Sequence, residues 1–271
     1  MKIQKADLQN LKLREKLLKY LKPHEEFSLF LIMNIKEPAN WFDIYYAFDN
    51  TKILGVAAYF FPFKSFSMFS DDKKVVEEFF NVFIKKYDVK NILVNDFVGE
   101  IVLKKCLELE CDFTKDPLHH FLTLDLENFK KFSLDDVKVR EIEKNDEENA
   151  AKLIRQLHDT DDGSKISKDE IDKVFLSPYV FVLEKNKNIV SIAVSNGIGF
   201  NMFQILSVVT DKNYRNRKYA KAVVSKLILK LQNLGAKKSV LFVEKDNLAA
   251  FKCYQRLGFQ IVGKYYFFQF K

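Results

Sequence analysis

Residues 208–224 read VVTDKNYRNRKYAKAVV, a β-branched strand that passes through a basic, polar loop directly into a helix. The loop places Arg215, Arg217 and Lys218 at the helix entrance. Because the free amides of a helix N-terminus already carry partial positive charge, cations are locally disfavoured there. A strand, a loop of free amides and a helix N-terminus form a donor array that suits a pyrophosphate, whose charge would cancel the cations. Taken alone, the loop is equally compatible with a basic helix cap that faces water.

Composition indicates a folded, globular chain. Its 271 residues can form one large or two ordinary domains, and 48% hydrophobic with 30% charged residues is typical of globular proteins. The longest apolar run, FSLFLIM at residues 27–33, is far shorter than the roughly 20 residues of a membrane helix, so no membrane association is predicted. Cys106, Cys111 and Cys253 show no CxxC spacing, which indicates neither a disulfide framework nor a metal site. These features predict that the protein is located in the reducing cytoplasm.

The net charge of +7 is compatible with nucleic acid or with a polyanionic small molecule as partner. Lysines are spread along the whole chain, which favours a solvated basic surface over a dedicated nucleic-acid patch. The oligomeric state is left open.

The hydrophobic pattern predicts two α/β halves. The polar stretch between Phe129 and Asp136 separates them, so we expect domains at residues 1–130 and 135–271. In the second half the pattern predicts a strand at 137–142, helices at 146–158 and 168–175, three strands within 179–210, a helix at 219–234, a strand at 239–243, a helix at 247–257 and a strand at 260–270.

The first half repeats this order without repeating the letters. It has a predicted helix at 8–21, strands at 41–48, 53–61 and 65–69, a helix at 72–87, a strand at 91–96, a helix at 99–109 and a strand at 120–126. Such an order fits an internal duplication, and it fits a coincidence equally well.

A second motif follows the basic loop after one helix and one strand. Residues 247–259 read NLAAFKCYQRLGF; Asn247 is placed to cap a helix, and Tyr254 lies on a helical face with Ala250 and Leu257. The phosphate-binding patterns GxxxxGK[ST] and GxGxxG are both absent from the sequence, which argues against nucleotide hydrolysis and dinucleotide binding.

The two motifs together resemble those of the GNAT N-acetyltransferases. The first motif of that family has the form V-(T)-x-x-x-x-R/Q-x-x-G-x-G/A, and the second has the form N-x-x-A-x-x-x-Y-x-x-x-G-F. This chain reads VVTDKNYRNRKYA and then NLAAFKCYQRLGF, in the order of the family. The resemblance covers residues 137–271. It implies a GNAT-like mixed, mostly antiparallel central sheet flanked by helices, with two such domains in tandem as our prediction for the chain.

The resemblance also implies acetyl-coenzyme A as co-substrate and a small-molecule or peptide amine as acceptor. The implied cofactor-binding residues are Val208, Val209 and Thr210 for the pantetheine arm, Arg215, Asn216, Arg217, Lys218, Tyr219 and Ala220 for the pyrophosphate, and Asn247 for the ordering of the second motif. Tyr254 matches the family's tyrosine, whose hydroxyl protonates the departing thiolate. The alternative is a non-catalytic protein that binds acyl-coenzyme A.

Two positions depart from the family pattern. Lys218 stands where the family has its first loop glycine, so we expect weaker cofactor affinity at most. The strand before the loop offers Gln204 and Ser207 but no carboxylate, whereas some members take a glutamate base from this strand. Candidates for the base are Glu184, Glu244 or a chain of water molecules, or the acceptor arrives partly neutral. The acidic loop at residues 158–162 is compatible with recognition of a cationic amine or with simple solvation.

The first half has no basic loop at the equivalent place. Asp71 and Asp72 stand there instead; they suit a helix cap and would repel a phosphate. We therefore expect one cofactor site, in the second half.

Overall fold

The computed structural model describes residues 1–115, 118–157, 163–175, 177–196 and 199–271. In these residues the strands are β1 (Lys2–Lys5), β2 (Phe42–Asp49), β3 (Lys52–Phe60), β4 (Ser65–Phe69), β5 (Asn91–Asn95), β6 (Phe113–Lys115), β7 (His119–Asp125), β8 (Lys138–Glu141), β9 (Tyr179–Lys185), β10 (Asn188–Ser195), β11 (Met202–Thr210), β12 (Lys238–Glu244) and β13 (Gln260–Phe270). The helices are α1 (Leu11–Leu21), α2 (Glu25–Lys36), α3 (Lys73–Lys86), α4 (Asp96–Glu108), α5 (Glu147–Leu157), α6 (Lys168–Phe175), α7 (Tyr219–Asn233) and α8 (Leu248–Leu257).

The chain divides into two compact units, and each unit combines segments that are separated in the sequence. Unit 1 consists of Met1–Phe121, Glu244–Asp246 and Val262–Lys271, and unit 2 consists of Leu122–Val243 and Asn247–Ile261. Most of the last strand, β13, is therefore part of unit 1. The predicted domains at residues 1–130 and 135–271, with the cofactor site in the second, stay a prediction.

Unit 1 has a mixed sheet with the strand order β1, β2, β3, β4, β5, β13. Strands β4 and β5 are parallel, and β13 pairs antiparallel with β5 from Tyr265↔Asn95 to Gln269↔Asn91. The core is unusually aromatic: α3 buries Phe79, Phe80 and Phe83 on the face that packs against the sheet. These three positions recur at helical spacing, which is why the sequence predicts this helix well.

Unit 1 contains β1, α2 and β6, which the sequence pattern did not predict. Helix α1 begins at Leu11 rather than residue 8, because the side chain of Asn10 accepts a hydrogen bond from the Leu13 amide and caps it there. Pro23 follows α1 in a short 3₁₀ turn, and the run FSLFLIM then lies within α2. Its apolar residues are nearly continuous, so no helical period marks this segment in the sequence.

Unit 2 has the strand order β7, β12, β11, β10, β9, β8, in which β11 and β12 are the parallel pair. Helix α7 covers one face of this sheet, where Val223, Leu227 and Leu231 are fully buried. Helices α5 and α6 contribute Ala150, Leu153 and Val174 to a second cluster with alternate residues of the same strands. The helix predicted at 219–234 and the strand predicted at 260–270 are confirmed.

The two units repeat one order of elements. Each has a first strand, two helices, three antiparallel strands, a helix, a strand parallel to the previous one and a further helix. The predicted fold class, an α/β fold with a mixed sheet flanked by helices and two such domains in tandem, is confirmed.

Candidate functional site

Strands β11 and β12 separate part of the way along β11. Their parallel register runs from Met202↔Lys238 to Ile205↔Leu241, and the last five residues of β11 extend beyond it. On its other side β11 carries a bulge: Ala193 of β10 pairs with Val208, but Ser195 pairs with Ile205, so β11 has one residue more than β10 between the two pairs. The bulge falls at Leu206 and Ser207, and it bends the strand where the parallel partner is lost.

The bulge also changes which side chains face α7. Phe203 and Ile205 pack in the cluster under α7, and so does Val208, although strict alternation would place it on the opposite face. Val209 lies in the cluster under α5. Beyond the bulge, residues 208–210 therefore pair with β10 on one edge and with no other described strand, and the free edge is where the pantetheine arm is expected.

The basic loop is held by its first residues. Asp211 accepts a hydrogen bond from the Asn213 amide at 2.8 Å, and its second oxygen lies 3.5 Å from the Gln156 amide nitrogen on α5. The Arg215 Nε donates to the Thr210 carbonyl oxygen at 3.3 Å. The Thr210 hydroxyl is itself 2.8 Å from the buried Ser191 hydroxyl. The end of β11 and the start of the loop thus form one hydrogen-bonded segment.

Two residues of the loop have left-handed backbone conformations. Asn216 has a φ of 63°, and Lys218 has a φ of 62° with a ψ of 17°. A lysine in this region costs free energy that a glycine would not, and strain of this kind is retained mainly at functional sites. A glycine at this position would adopt the same conformation without that cost. Left-handed residues in a turn gather successive amides into a concave, anion-binding surface.

The N-terminus of α7 has no side-chain cap. Lys218 occupies the capping position without a hydrogen bond from its side chain, and the first turn contains no acidic residue. The amides of this turn are left for water or a ligand. Beside them, the Arg217 guanidinium lies 5.4 Å from the Tyr214 ring centre, and Tyr214 is stacked at 6.4 Å on the buried Tyr219. This packing orders the loop. Nothing in the sequence pattern marked Tyr214 or Asp211 as part of it.

Tyr254 lies on α8 with its side chain in the cluster under α7. It is 7% exposed, and its ring contacts Phe259 edge-on at 5.9 Å. Val208 packs against the same cluster. Burial raises the pKa of the Tyr254 hydroxyl above its ordinary value. A hydroxyl that stays neutral is chemically suited to donate a proton.

Two local motifs fix the ends of α8. The Asn247 side-chain oxygen accepts a hydrogen bond from the Ala250 amide at 3.1 Å, as its predicted capping role requires. At the other end Gly258 has a φ of 107°, and a Cβ there would lie 2.7 Å from the Asn128 carbonyl oxygen. Only glycine fits this position, which explains the LGF of the second motif.

The candidate bases have different surroundings. The Glu184 carboxylate lies 3.1 Å from the Arg140 guanidinium, which also holds Asp146 at 2.5 Å. A carboxylate engaged in such an ion pair is poorly placed to accept a proton from an amine. Glu244 is exposed at the end of β12. The acidic loop at 158–162 lies outside the described residues.

Unit 1 lacks the features that mark the loop of unit 2. Strand β4 pairs with β3 without a bulge, from Val56↔Phe69 to Phe60↔Ser65. The Asp72 side chain accepts a hydrogen bond from the Lys74 amide at 2.8 Å, so the start of α3 is already capped by a carboxylate, as the sequence predicts. His24 packs on Phe69 at 4.7 Å and lies 3.6 Å from Asp71.

Within the described ranges, no cluster of three or more His, Cys, Asp and Glu side chains could hold a metal ion. No helix of the same residues combines the length and apolar character needed to cross a membrane.

Comparison with known proteins finds one family model and several solved structures similar to this chain. Residues 145–259 match the model of the Acetyltransferase (GNAT) family. A search of curated proteins finds no match. Solved structures cover the whole chain: a Drosophila protein matches with a TM-score of 0.73 and 11% identity over 99% of this chain and 98% of its own. A tandem GNAT protein from the clavulanic acid biosynthesis pathway matches with a TM-score of 0.61 and 9% identity over 98% and 97%.

A GNAT N-acetyltransferase from Sphaerobacter thermophilus matches with a TM-score of 0.64 and 11% identity over 98% of this chain and 94% of its own. At such identities the likeness concerns the fold alone, whereas the family model also matches the sequence. Residues 145–259 therefore match the GNAT family model, in a chain whose full length shares the fold of a tandem GNAT protein.

Proposed function

We propose that this chain is an N-acetyltransferase that moves the acetyl group of acetyl-coenzyme A to a primary amine, with its single cofactor site in unit 2. The observation that carries the proposal is the separation of β11 from β12 after Ile205, directly before an uncapped helix N-terminus. The first feature leaves a strand edge for the pantetheine amides, and the second leaves helix amides for the pyrophosphate.

The residues of the chain fit coenzyme A in charge and in backbone conformation. Left-handed Asn216 and Lys218 shape the loop, and Arg215 and Arg217 add two guanidinium groups beside it. The exposure of these side chains leaves their charges available. The thioester supplies an activated acetyl carbonyl when the cofactor is bound. We expect backbone amides near Val208 to polarise the carbonyl oxygen and the neutral Tyr254 hydroxyl to protonate the leaving thiolate.

A non-catalytic acyl-coenzyme A binding protein is the second candidate. It is favoured by Gln204, which leaves β11 without a carboxylate, and by the ion pair that engages Glu184. A general base can be dispensed with only where the amine arrives neutral.

Two measurements separate these functions. Calorimetry at near-physiological salt tests binding of coenzyme A, and we expect one site per chain that an Arg215→Ala, Arg217→Ala double variant weakens by about tenfold, with less salt dependence than wild type. Lys212→Ala in the same loop is the matched control. Absence of binding would overturn both functions. Acetyl transfer to a panel of amines then supports the enzyme, and binding without transfer supports the second candidate. As part of the first function we also propose that the protein is located in the reducing cytoplasm.

A further inference from the structure

Two amide side chains lie opposite each other where β11 begins its bulge. The Asn196 amide nitrogen of the main chain donates to the Gln204 carbonyl oxygen at 3.2 Å, directly after the Ser195↔Ile205 pair. Residues opposed in this way on antiparallel strands project side chains to the same face, at about 5 Å between Cβ atoms. Asn196 and Gln204 therefore form a pair of neutral amides beside the bulge.

The pair lies on the face away from α7. Phe203 and Ile205 pack in the cluster under α7, so Gln204 between them points to the opposite side. Val194 belongs to the cluster under α5, and Asn196, two residues on, continues that face. The cofactor loop is at the N-terminus of α7. The amides thus lie on the face of the sheet opposite α7 and its N-terminal loop.

One polar atom of this pair is buried without a partner. The Asn196 Nδ2 has no hydrogen-bond partner, although it is shielded from solvent. Gln204 beside it is only 6% exposed, whereas Leu206 in the bulge is 38% exposed. A buried donor without a partner is costly, so it is expected where a ligand supplies the missing acceptor. The oxygen that satisfies Nδ2 would lie close to the bulge.

Neither β10 nor β11 contains a charged side chain that could bind an acceptor by its charge. Residues 188–195 read NIVSIAVS and residues 202–210 read MFQILSVVT, with no acid or base in either. Recognition here is by neutral donors, which suit a carbonyl oxygen. The same absence means that no carboxylate of β11 removes the proton of an amine. An acceptor that arrives largely deprotonated needs no base on this strand.

The fraction of an amine that arrives deprotonated depends on the pKa of that amine. An α-amino group next to an amide has a pKa near 7.7–8.0, so about a third of it is neutral at pH 7.5. An alkylamine such as a lysine side chain has a pKa near 10.4, so only about one molecule in a thousand is neutral. Of these two, only the α-amino amide also carries a carbonyl oxygen near its amine.

We propose that the acceptor is an α-amino amide, such as the N-terminus of a peptide, whose carbonyl oxygen is bound by the Asn196 Nδ2 beside Gln204. This inference rests on the proposed acetyl transfer and names its substrate class. Asn196 and Gln204 act as specificity residues, while Tyr254 and the basic loop serve the cofactor. Loss of the Asn196 amide removes a contact with the acceptor and leaves coenzyme A binding unchanged.

The test compares glycinamide with propylamine as acceptors of acetyl-coenzyme A. Rates are expressed per neutral amine, so that the difference in pKa is removed. We expect wild type to prefer glycinamide at least tenfold in kcat/KM, because a site built for a hydrogen bond rejects an analogue without it. Asn196→Ala should reduce this preference to about twofold or less by lowering the glycinamide rate alone.

Stability distinguishes this role from a structural one. Removing a buried donor that has no partner should leave the melting temperature unchanged or raise it, whereas loss of a structural contact lowers it. Asn188→Ala, at the exposed start of the same strand, is the matched control and should alter neither quantity. Gln204→Leu, which removes the side-chain amide but keeps a side chain of similar size, should also weaken the preference for glycinamide.

The outcomes separate this proposal from the one on which it rests. Equal use of propylamine and glycinamide by wild type, or an Asn196→Ala variant with unchanged preference, would overturn the acceptor class and leave acetyl transfer intact. Failure to acetylate any amine with coenzyme A bound would overturn acetyl transfer and the acceptor class together. A lowered melting temperature with unchanged preference would make Asn196 structural.

Discussion

Asn95 and Asn247 make the same contact at the start of two equivalent helices. The Asn95 side-chain oxygen accepts from the Val98 amide at 3.0 Å, and that of Asn247 accepts from the Ala250 amide at 3.1 Å. Asn95 is the last residue of β5, and Asn247 follows β12 by three residues; each of these strands is parallel to a neighbour in its own unit. Seven residues further, α8 has Tyr254 and α4 has Val102. The repeated cap is structural, whereas the residue expected to act on the thiolate occurs in unit 2 alone.

We predict that coenzyme A binds with a stoichiometry of one per chain. Unit 1 presents Asp71 and a capping Asp72 where unit 2 presents its basic loop, and carboxylates at this place repel phosphate. Titration calorimetry of the full chain measures the stoichiometry directly. Asp71→Asn serves as control, since it should leave binding in unit 2 unchanged. A value of two would show that unit 1 also has a working site.

Tyr254→Phe should lower the turnover number roughly 10- to 100-fold, which corresponds to about 1.4 to 2.7 kcal/mol of transition-state stabilisation. The change removes one hydroxyl and keeps the ring that packs against Phe259, so the melting temperature and the affinity for coenzyme A should barely change. Steady-state kinetics and thermal melting check both parts. A folded variant with the turnover of wild type would leave the thiolate to be protonated by water.

The effect of Tyr254→Phe should be independent of pH between pH 7 and about 10. Burial raises the pKa of Tyr254 above the ordinary tyrosine value of about 10, so the hydroxyl stays protonated throughout this range in wild type. The ratio of the two turnover numbers, measured at each pH with saturating amine, should therefore be constant. A decline of this ratio centred below pH 9 would mean that Tyr254 ionises at an ordinary or lowered pKa.

Asp146→Asn should lower the free energy of unfolding at pH 7 by about 1.5–3 kcal/mol, the range for a hydrogen bond to a charged group. The Arg140 guanidinium holds this buried carboxylate at 2.5 and 3.1 Å and lowers its pKa. Stability from a lowered pKa is present above the unfolded value near 3.9 and is lost as the pH falls through the folded value.

The difference between wild type and Asp146→Asn should therefore shrink below about pH 4. Urea unfolding at a series of pH values measures it. Asp135→Asn, at an exposed position, should change stability by no more than about 0.5 kcal/mol. A difference that stayed constant down to pH 2 would exclude the ion pair as its source.

Phe268→Ala should cost about 3–5 kcal/mol and loosen unit 1 first. Phe268 is fully buried in the aromatic core of unit 1, although it lies near the end of the chain, after the second motif. Amide hydrogen exchange should show faster exchange in β5 and α3 than in β10 and β11. Gln269→Ala, at the neighbouring exposed position, is the control. Equal loss of protection in both sets of strands would contradict the assignment of β13 to unit 1.

Features carried by neighbouring residues could be predicted from the sequence. The stripe of α7, the caps at Asn247 and Gly258 and the two motifs depend on contacts within a few residues, so their pattern is visible locally. Segments whose pattern is ambiguous were missed: α2 is apolar almost all round, and β1 and β6 have three or four residues each.

The sequence by itself determined the order of the elements in the second half, the match of residues 145–259 to the GNAT family model and the capped start of α3 by Asp72. Tertiary structure alone decided the bulge at Leu206 and Ser207, because a bulge exists only as an excess of one residue over the partner strand. It likewise decided that β13 completes unit 1 and that Asn196 lies opposite Gln204. These relationships depend on pairing between strands that are distant in the chain, and no local hydrophobic period encodes which strand is the partner.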